Sequence, residues 1–161
     1  MLQRIQTVFL IMIVFLMIVF LFFPVWINVL QDGLEIHRLN SLYFYSSIPG
    51  ATPEETVIYW PYAISGIFAV LAVIIALIEA FSYNNRLRQI KLGALNSLLM
   101  AGALISAIWF TSQIQETFGE ANPGEFGLGL FLPAIALLCN IFANRFIRKD
   151  EKLVRSMDRI R

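Results

Sequence analysis

The chain is poor in the residue types that most soluble chemistry requires. It has one cysteine, Cys139, and one histidine, His37. A lone cysteine excludes a paired-thiol redox motif within the chain. One histidine supplies neither a multi-histidine metal site nor a haem with two histidine ligands. No phosphate-cradling glycine loop and no nucleophile–base pair occurs at a recognisable spacing. These gaps lead to the expectation of a protein that is not an enzyme and holds no metal or cofactor. Charge is scarce as well, at 14% of residues, while 58% are hydrophobic and the mean hydropathy is +0.72.

What is present is four long apolar blocks, at about 8–27, 62–81, 92–110 and 126–146. The first contains no Gly, Ala or Ser and no polar residue from Val8 to Phe23. A helical span of the hydrocarbon core takes about 20 residues, and a backbone in lipid must satisfy its own hydrogen bonds, so each block reads as a transmembrane helix. The first is too long for a signal-peptide core and lacks a small-residue cleavage site. The expected fold is therefore all-α: a four-helix membrane bundle forming a single domain over 1–161. A short outer loop region and an amphipathic C-terminal helix over 147–161 complete it. In that tail Ile147, Leu153, Val154, Met157 and Ile160 recur at helical spacing. It suits the anionic surface of the inner leaflet, and it also suits a partner protein or its own bundle.

Positive charge sets the orientation. Arg4, the connection with Arg86, Arg88 and Lys91, and the tail with Arg145, Arg148, Lys149, Lys152, Arg155, Arg159 and Arg161 share one side of the four blocks. Arg38 is the sole basic residue on the other side, among Asp32, Glu35, Glu54, Glu55, Glu116, Glu120 and Glu125. Both termini are expected in the cytoplasm. Trp26, Trp60 and Trp109 all fall at the outer boundary, where indole rings favour the interface. In the outer connection Leu34–His37 and Leu42–Tyr45 look extended. Thr52 as an N-cap and Pro53 after it predict a helix through Trp60. Gln113–Glu125 forms the second outer connection. Pro133, four residues after Gly129, predicts a kink or a late helix start.

Small residues recur at four-residue steps in the second block (Ser65, Ala69, Ala72, Ala76, Ala80) and in the third (Ser97 and Ala101; Gly102 and Ser106). They predict an antiparallel hairpin of these two helices. The first block, with no small residue, is expected at the periphery or against another protein.

Within the spans the only acid is Glu79, and Asn96 and Asn140 fall at a similar depth. These three form a candidate intramembrane polar cluster. Glu79 has two possible roles: pairing with Arg86, Arg88 or Arg145 to fix the bundle, or forming a proton or ion site.

The opening Met1-Leu2-Gln3-Arg4-Ile5-Gln6-Thr7-Val8 and the closing segment from Arg148 to Arg161 resemble the signatures of a bacterial membrane family, domain of unknown function 4293. Phe126-Gly127-Leu128-Gly129-Leu130-Phe131-Leu132-Pro133 resembles its fourth span. The resemblance covers the whole chain and implies a four-helix protein of the bacterial inner membrane, with no activity to transfer. It directs attention to Arg4, Arg148, Lys149, Leu153, Arg155, Met157 and Arg159 as an interaction surface. The leading expectation is an accessory or assembly subunit contacting lipid and another inner-membrane protein, with a homo-oligomer also compatible and no role for nucleic acid. A small transporter or channel subunit using Glu79, Asn96 and Asn140 is the alternative.

Overall fold

The computed structural model describes residues 2–29, 36–48, 54–82, 85–118 and 123–158. Four helices dominate it: α1 (Leu2–Phe22), α2 (Ala63–Phe81), α3 (Arg86–Phe118) and α4 (Phe131–Asp158). Each is long and apolar enough to cross a membrane. They pack in a ring, α1 on α2, α2 on α3, α3 on α4 and α4 on α1. The short α2–α3 connection and the alternating chain direction make an up-down-up-down bundle. The start of α1, the α2–α3 connection and the end of α4 therefore share one end, called the basic end below.

Each helix turns one stripe inward at steps of three and four residues. On α1 the stripe is Gln6, Leu10, Ile13, Met17 and Phe20; on α2 it is Ser65, Ala69, Ala72, Ala76 and Glu79. On α3 it is Gln89, Asn96, Met100, Ala103, Ala107 and Phe110, and on α4 Ala136, Asn140, Ala143 and Ile147. The outward faces carry large apolar side chains, among them Phe15, Ile74, Leu98, Ile105 and Leu138. Small and polar residues inside with bulky apolar residues outside is the arrangement a lipid solvent favours, because close packing rather than burial from water draws the helices together.

The sequence placed α1 at the periphery or against another protein; the structure corrects the first, packing one face of α1 into the bundle. Leu10, Ile13, Met17 and Phe20 are at most 1% exposed. Phe9 stacks against Phe146 of α4 and packs tilted against Phe142, with ring centroids 5.8 Å from each, and Met12 Sδ lies 3.5 Å from Cys139 Sγ. Large side chains on α1 fill the room that the alanines of α2 and α4 leave. A helix without small residues packs well when its neighbours supply them.

The all-α expectation is overturned at the other end. Five antiparallel strands, in the order β4-β3-β2-β1-β5, form a sheet there. They are β1 (Trp26–Val29), β2 (Ile36–Leu39), β3 (Phe44–Ile48), β4 (Glu54–Ile58) and β5 (Glu125–Phe126). The two extended runs read from sequence fall partly on β2 and β3. The helix expected through Trp60 is instead strand β4: Thr56, Val57 and Ile58 are β-branched and pair with Ser46, Tyr45 and Phe44. Thr52 and Pro53 lie outside the described residues. The second outer connection is shorter than expected, since α3 continues to Phe118.

The sheet closes its end of the bundle by specific contacts. Phe44, Tyr62 and Phe110 run from β3 to α3 as an aromatic series with ring centroids 5.6 and 5.4 Å apart. The Ser41 carbonyl accepts from Ser65 Oγ (2.7 Å) and from the Gly66 amide (2.8 Å). The Gly127 and Gly129 amides donate to the Val25 and Pro24 carbonyls. At Gly129 a Cβ would stand 2.6 Å from the Pro24 carbonyl oxygen, so only glycine lets these backbones meet. A short 3-10 turn over Leu128–Leu130 precedes α4, which places Pro133 in the first helical turn. This is the late start expected from the sequence.

Trp26 corrects another expectation. It is fully buried, and its indole N–H donates to the Pro123 carbonyl at 3.2 Å. Gly124, at φ 69°, lies against its ring. Trp60 and Trp109, by contrast, are 70% and 63% exposed, as suits residues at a membrane boundary.

Candidate functional site

The basic half of the bundle core is polar. Glu79 closes the inward stripe of α2, Asn96 lies on that of α3 and Asn140 on that of α4, and all three are 0% exposed. Asn140 Nδ2 donates to the Gly93 carbonyl (2.8 Å) and to Ser97 Oγ (2.7 Å). Those acceptors flank Asn96 on α3, so the two asparagines sit at one level. Gln89 Nε2 donates to the Glu79 backbone carbonyl at 3.0 Å, which sets Glu79 level with Gln89. From Gln89 to Asn96 is two helical turns, about 10 Å along the axis. Side chains tilt toward the N-terminus of their own helix. On these antiparallel helices the tilt carries Glu79 deeper into the bundle and Asn96 toward the basic end, so the two converge.

Neither carboxylate oxygen of Glu79 has a hydrogen-bond partner among the described residues, and the same holds for both amide atoms of Asn96 and for Asn140 Oδ1. The pairing of Glu79 with an arginine is not formed. Arg86 instead holds α4, through Asp150 Oδ2 at 3.6 Å and the Asp150 carbonyl at 2.8 Å. A buried carboxylate without a partner is expensive to ionise. Carboxamide oxygens such as those of Asn96 and Asn140 are ligands that suit a hard cation, and no group of three or more His, Cys, Asp or Glu side chains that could hold a metal occurs among the described residues.

The profile described as Domain of unknown function (DUF4293) matches residues 2–160. The chain belongs to this family. No curated protein matches it. Membership therefore brings no residue roles, and the reading of the site rests on its geometry.

Three polar residues that sequence reasoning passed over join the site. Gln6 is 5% exposed on the inward stripe of α1, with Nε2 unpartnered among the described residues. It lies just before the first apolar block, and only its spacing from Leu10, Ile13 and Met17 could have revealed it. Gln89 is seven residues before Asn96 on the same stripe of α3. Asn144, one turn after Asn140, occupies the space that a side chain at position 93 would need, which explains the glycine there. All four helices thus contribute a carboxamide or carboxylate to the basic half of the core.

The terminal surface is described in part. Arg148, Lys149 and Leu153 lie on exposed positions of α4, Leu153 at 49% exposure. The side chains of Arg4, Arg155 and Met157, and the whole of Arg159, lie outside the described residues. Beyond position 146 the fourth helix continues unbroken to Asp158, with Ile147 fully buried, so the tail begins as an extension of the bundle.

Proposed function

We propose that this protein is a non-enzymatic, membrane-spanning four-helix bundle that binds a proton or a monovalent cation at Glu79, with Asn96 and Asn140 as neighbours, and moves it as a small transporter or channel subunit. The reading rests on one observation: an acid with no exposure and no partner for either oxygen among the described residues, in the same half of the core as the Asn96 and Asn140 carboxamide oxygens, which also lack one. A merely structural acid at this depth would be expected to pair with a base, and Arg86, the first arginine after it in the chain, is engaged by Asp150. The location that goes with this reading is a bacterial inner membrane with both termini in the cytoplasm. The clustering of eleven Lys and Arg residues at the basic end supports that orientation.

The test is flux in vesicles reconstituted with the purified protein, read with an internal pH dye and a sodium-sensitive dye under an imposed potential. Wild type carries flux on this reading. Glu79→Gln removes the ionisable group at nearly constant volume and abolishes flux while the helical signal stays unchanged. Equal flux from the two proteins, or none from wild type, overturns the proposal.

A second reading, an accessory subunit of a larger complex, draws on the sheet. No strand pairs with the outer edge of β4 among the described residues, and the side chains from Glu55 to Trp60 are exposed. An open edge of this kind can accept a partner's strand. Affinity purification from native membranes in mild detergent, with the tag in an outer loop, tests it. A stoichiometric partner lost on Val57→Pro supports this reading. A lone protein removes it.

A further inference from the structure

Between α3 and α4 at the basic end lies a groove of about 390 Å³, lined by Ala94, Ser97, Ile141, Asn144, Arg145 and Arg148. Its chemistry is divided. Ala94 and Ile141 are apolar and face outward with the lipid-facing surface, while two guanidinium groups stand on successive turns of α4. Arg145 and Arg148, at a spacing of three, share a helix face. Neither forms an ion pair among the described residues, and the acid nearest to them in sequence, Asp150, is engaged by Arg86. The Asn144 carboxamide oxygen is unpartnered among the described residues. Two guanidinium groups without an ion pair among the described residues, above an apolar groove at the end of a span, match a lipid whose phosphate sits at the interface and whose acyl chains lie below it.

We infer that this groove is a binding site for the headgroup phosphate of an anionic phospholipid. Arg145 and Arg148 bind the phosphate oxygens and Ala94 and Ile141 pack against the upper acyl chain. The net charge of the two arginines selects a lipid with a net negative headgroup over a zwitterionic one. The inference is independent of Glu79, which is enclosed in the core and does not line the groove.

The full-length protein in neutral detergent, titrated with phosphatidylglycerol and separately with phosphatidylcholine under native mass spectrometry, tests it. Wild type retains phosphatidylglycerol preferentially. The double variant Arg145→Gln/Arg148→Gln weakens that binding by roughly thirty-fold, from about 1 kcal/mol for each basic group near a lipid surface. Ala94→Phe, which fills the groove and leaves every charge in place, weakens it as well. Arg88→Gln/Lys91→Gln removes the same charge from the same end outside the groove and leaves the affinity within about two-fold. Equal losses from the two double variants mean diffuse surface attraction and overturn the site, as does equal retention of the zwitterionic lipid. Displacement of the lipid by millimolar inorganic phosphate overturns the lipid assignment in favour of a free-phosphate site.

Discussion

The two ends of the bundle solve the same packing problem in opposite ways. At the sheet end close approaches between segments are made through hydrogen bonds. Ser41 accepts twice, Trp26 donates to Pro123, and Gly127 and Gly129 dock on Val25 and Pro24. At the basic end Glu79 and Asn96 are equally well buried and their side chains have no partner among the described residues. Asn40 Oδ1 at the sheet end is also buried without a partner among the described residues, so the difference is that the basic end buries an acid, Glu79, in this way.

The contrast can be broken most forcefully at Gly129. Gly129→Ala puts a Cβ 2.6 Å from one backbone carbonyl oxygen and 2.7 Å from another, neither of which can swing aside. We expect a loss of about 2–3 kcal/mol, read as a lower melting temperature in detergent. Wild-type stability would mean that the α1–α4 junction is looser than described. Trp26→Phe, which deletes the buried indole donor and part of the ring, should cost about 1–2 kcal/mol in the same assay. The smallest effect is predicted at the basic end, where the change is chemically the most drastic. Glu79→Leu removes an uncompensated buried acid and should leave the melting temperature unchanged or slightly raised. A drop as large as that of Gly129→Ala would make Glu79 a structural residue and remove the basis for the ion-site reading.

Much of the bundle was legible from residue order. Four apolar blocks gave four helices, the alanine stripe of α2 marked its inward face, and Pro133 after Gly129 marked the late start of α4. Glu79, Asn96 and Asn140 could be singled out because polar residues inside apolar runs are rare and conspicuous. The sheet was less legible because its strands are four or five residues long or shorter, and the signals at Thr52 and Pro53 suggested a helix. What makes Glu54–Ile58 a strand is its neighbour β3, which lies across a connection and leaves no local trace. Gln6 and Gln89 escaped notice for a related reason: a glutamine near a helix start is ordinary until the opposing helices enclose it.

By itself the sequence determined that the chain forms four apolar helices, that basic residues gather at one end, and which acid lies within a span. These are properties of composition and of short-range periodicity, which a single segment expresses alone. Only the tertiary structure decided that α1 packs a whole face into the ring, that Trp26 is buried rather than facing the boundary, and that none of Arg86, Arg88 and Arg145 pairs with Glu79. Each of these depends on which side chains two distant segments bring to the same place, and pairing of that kind is fixed by complementary volume and hydrogen-bond geometry across the whole fold.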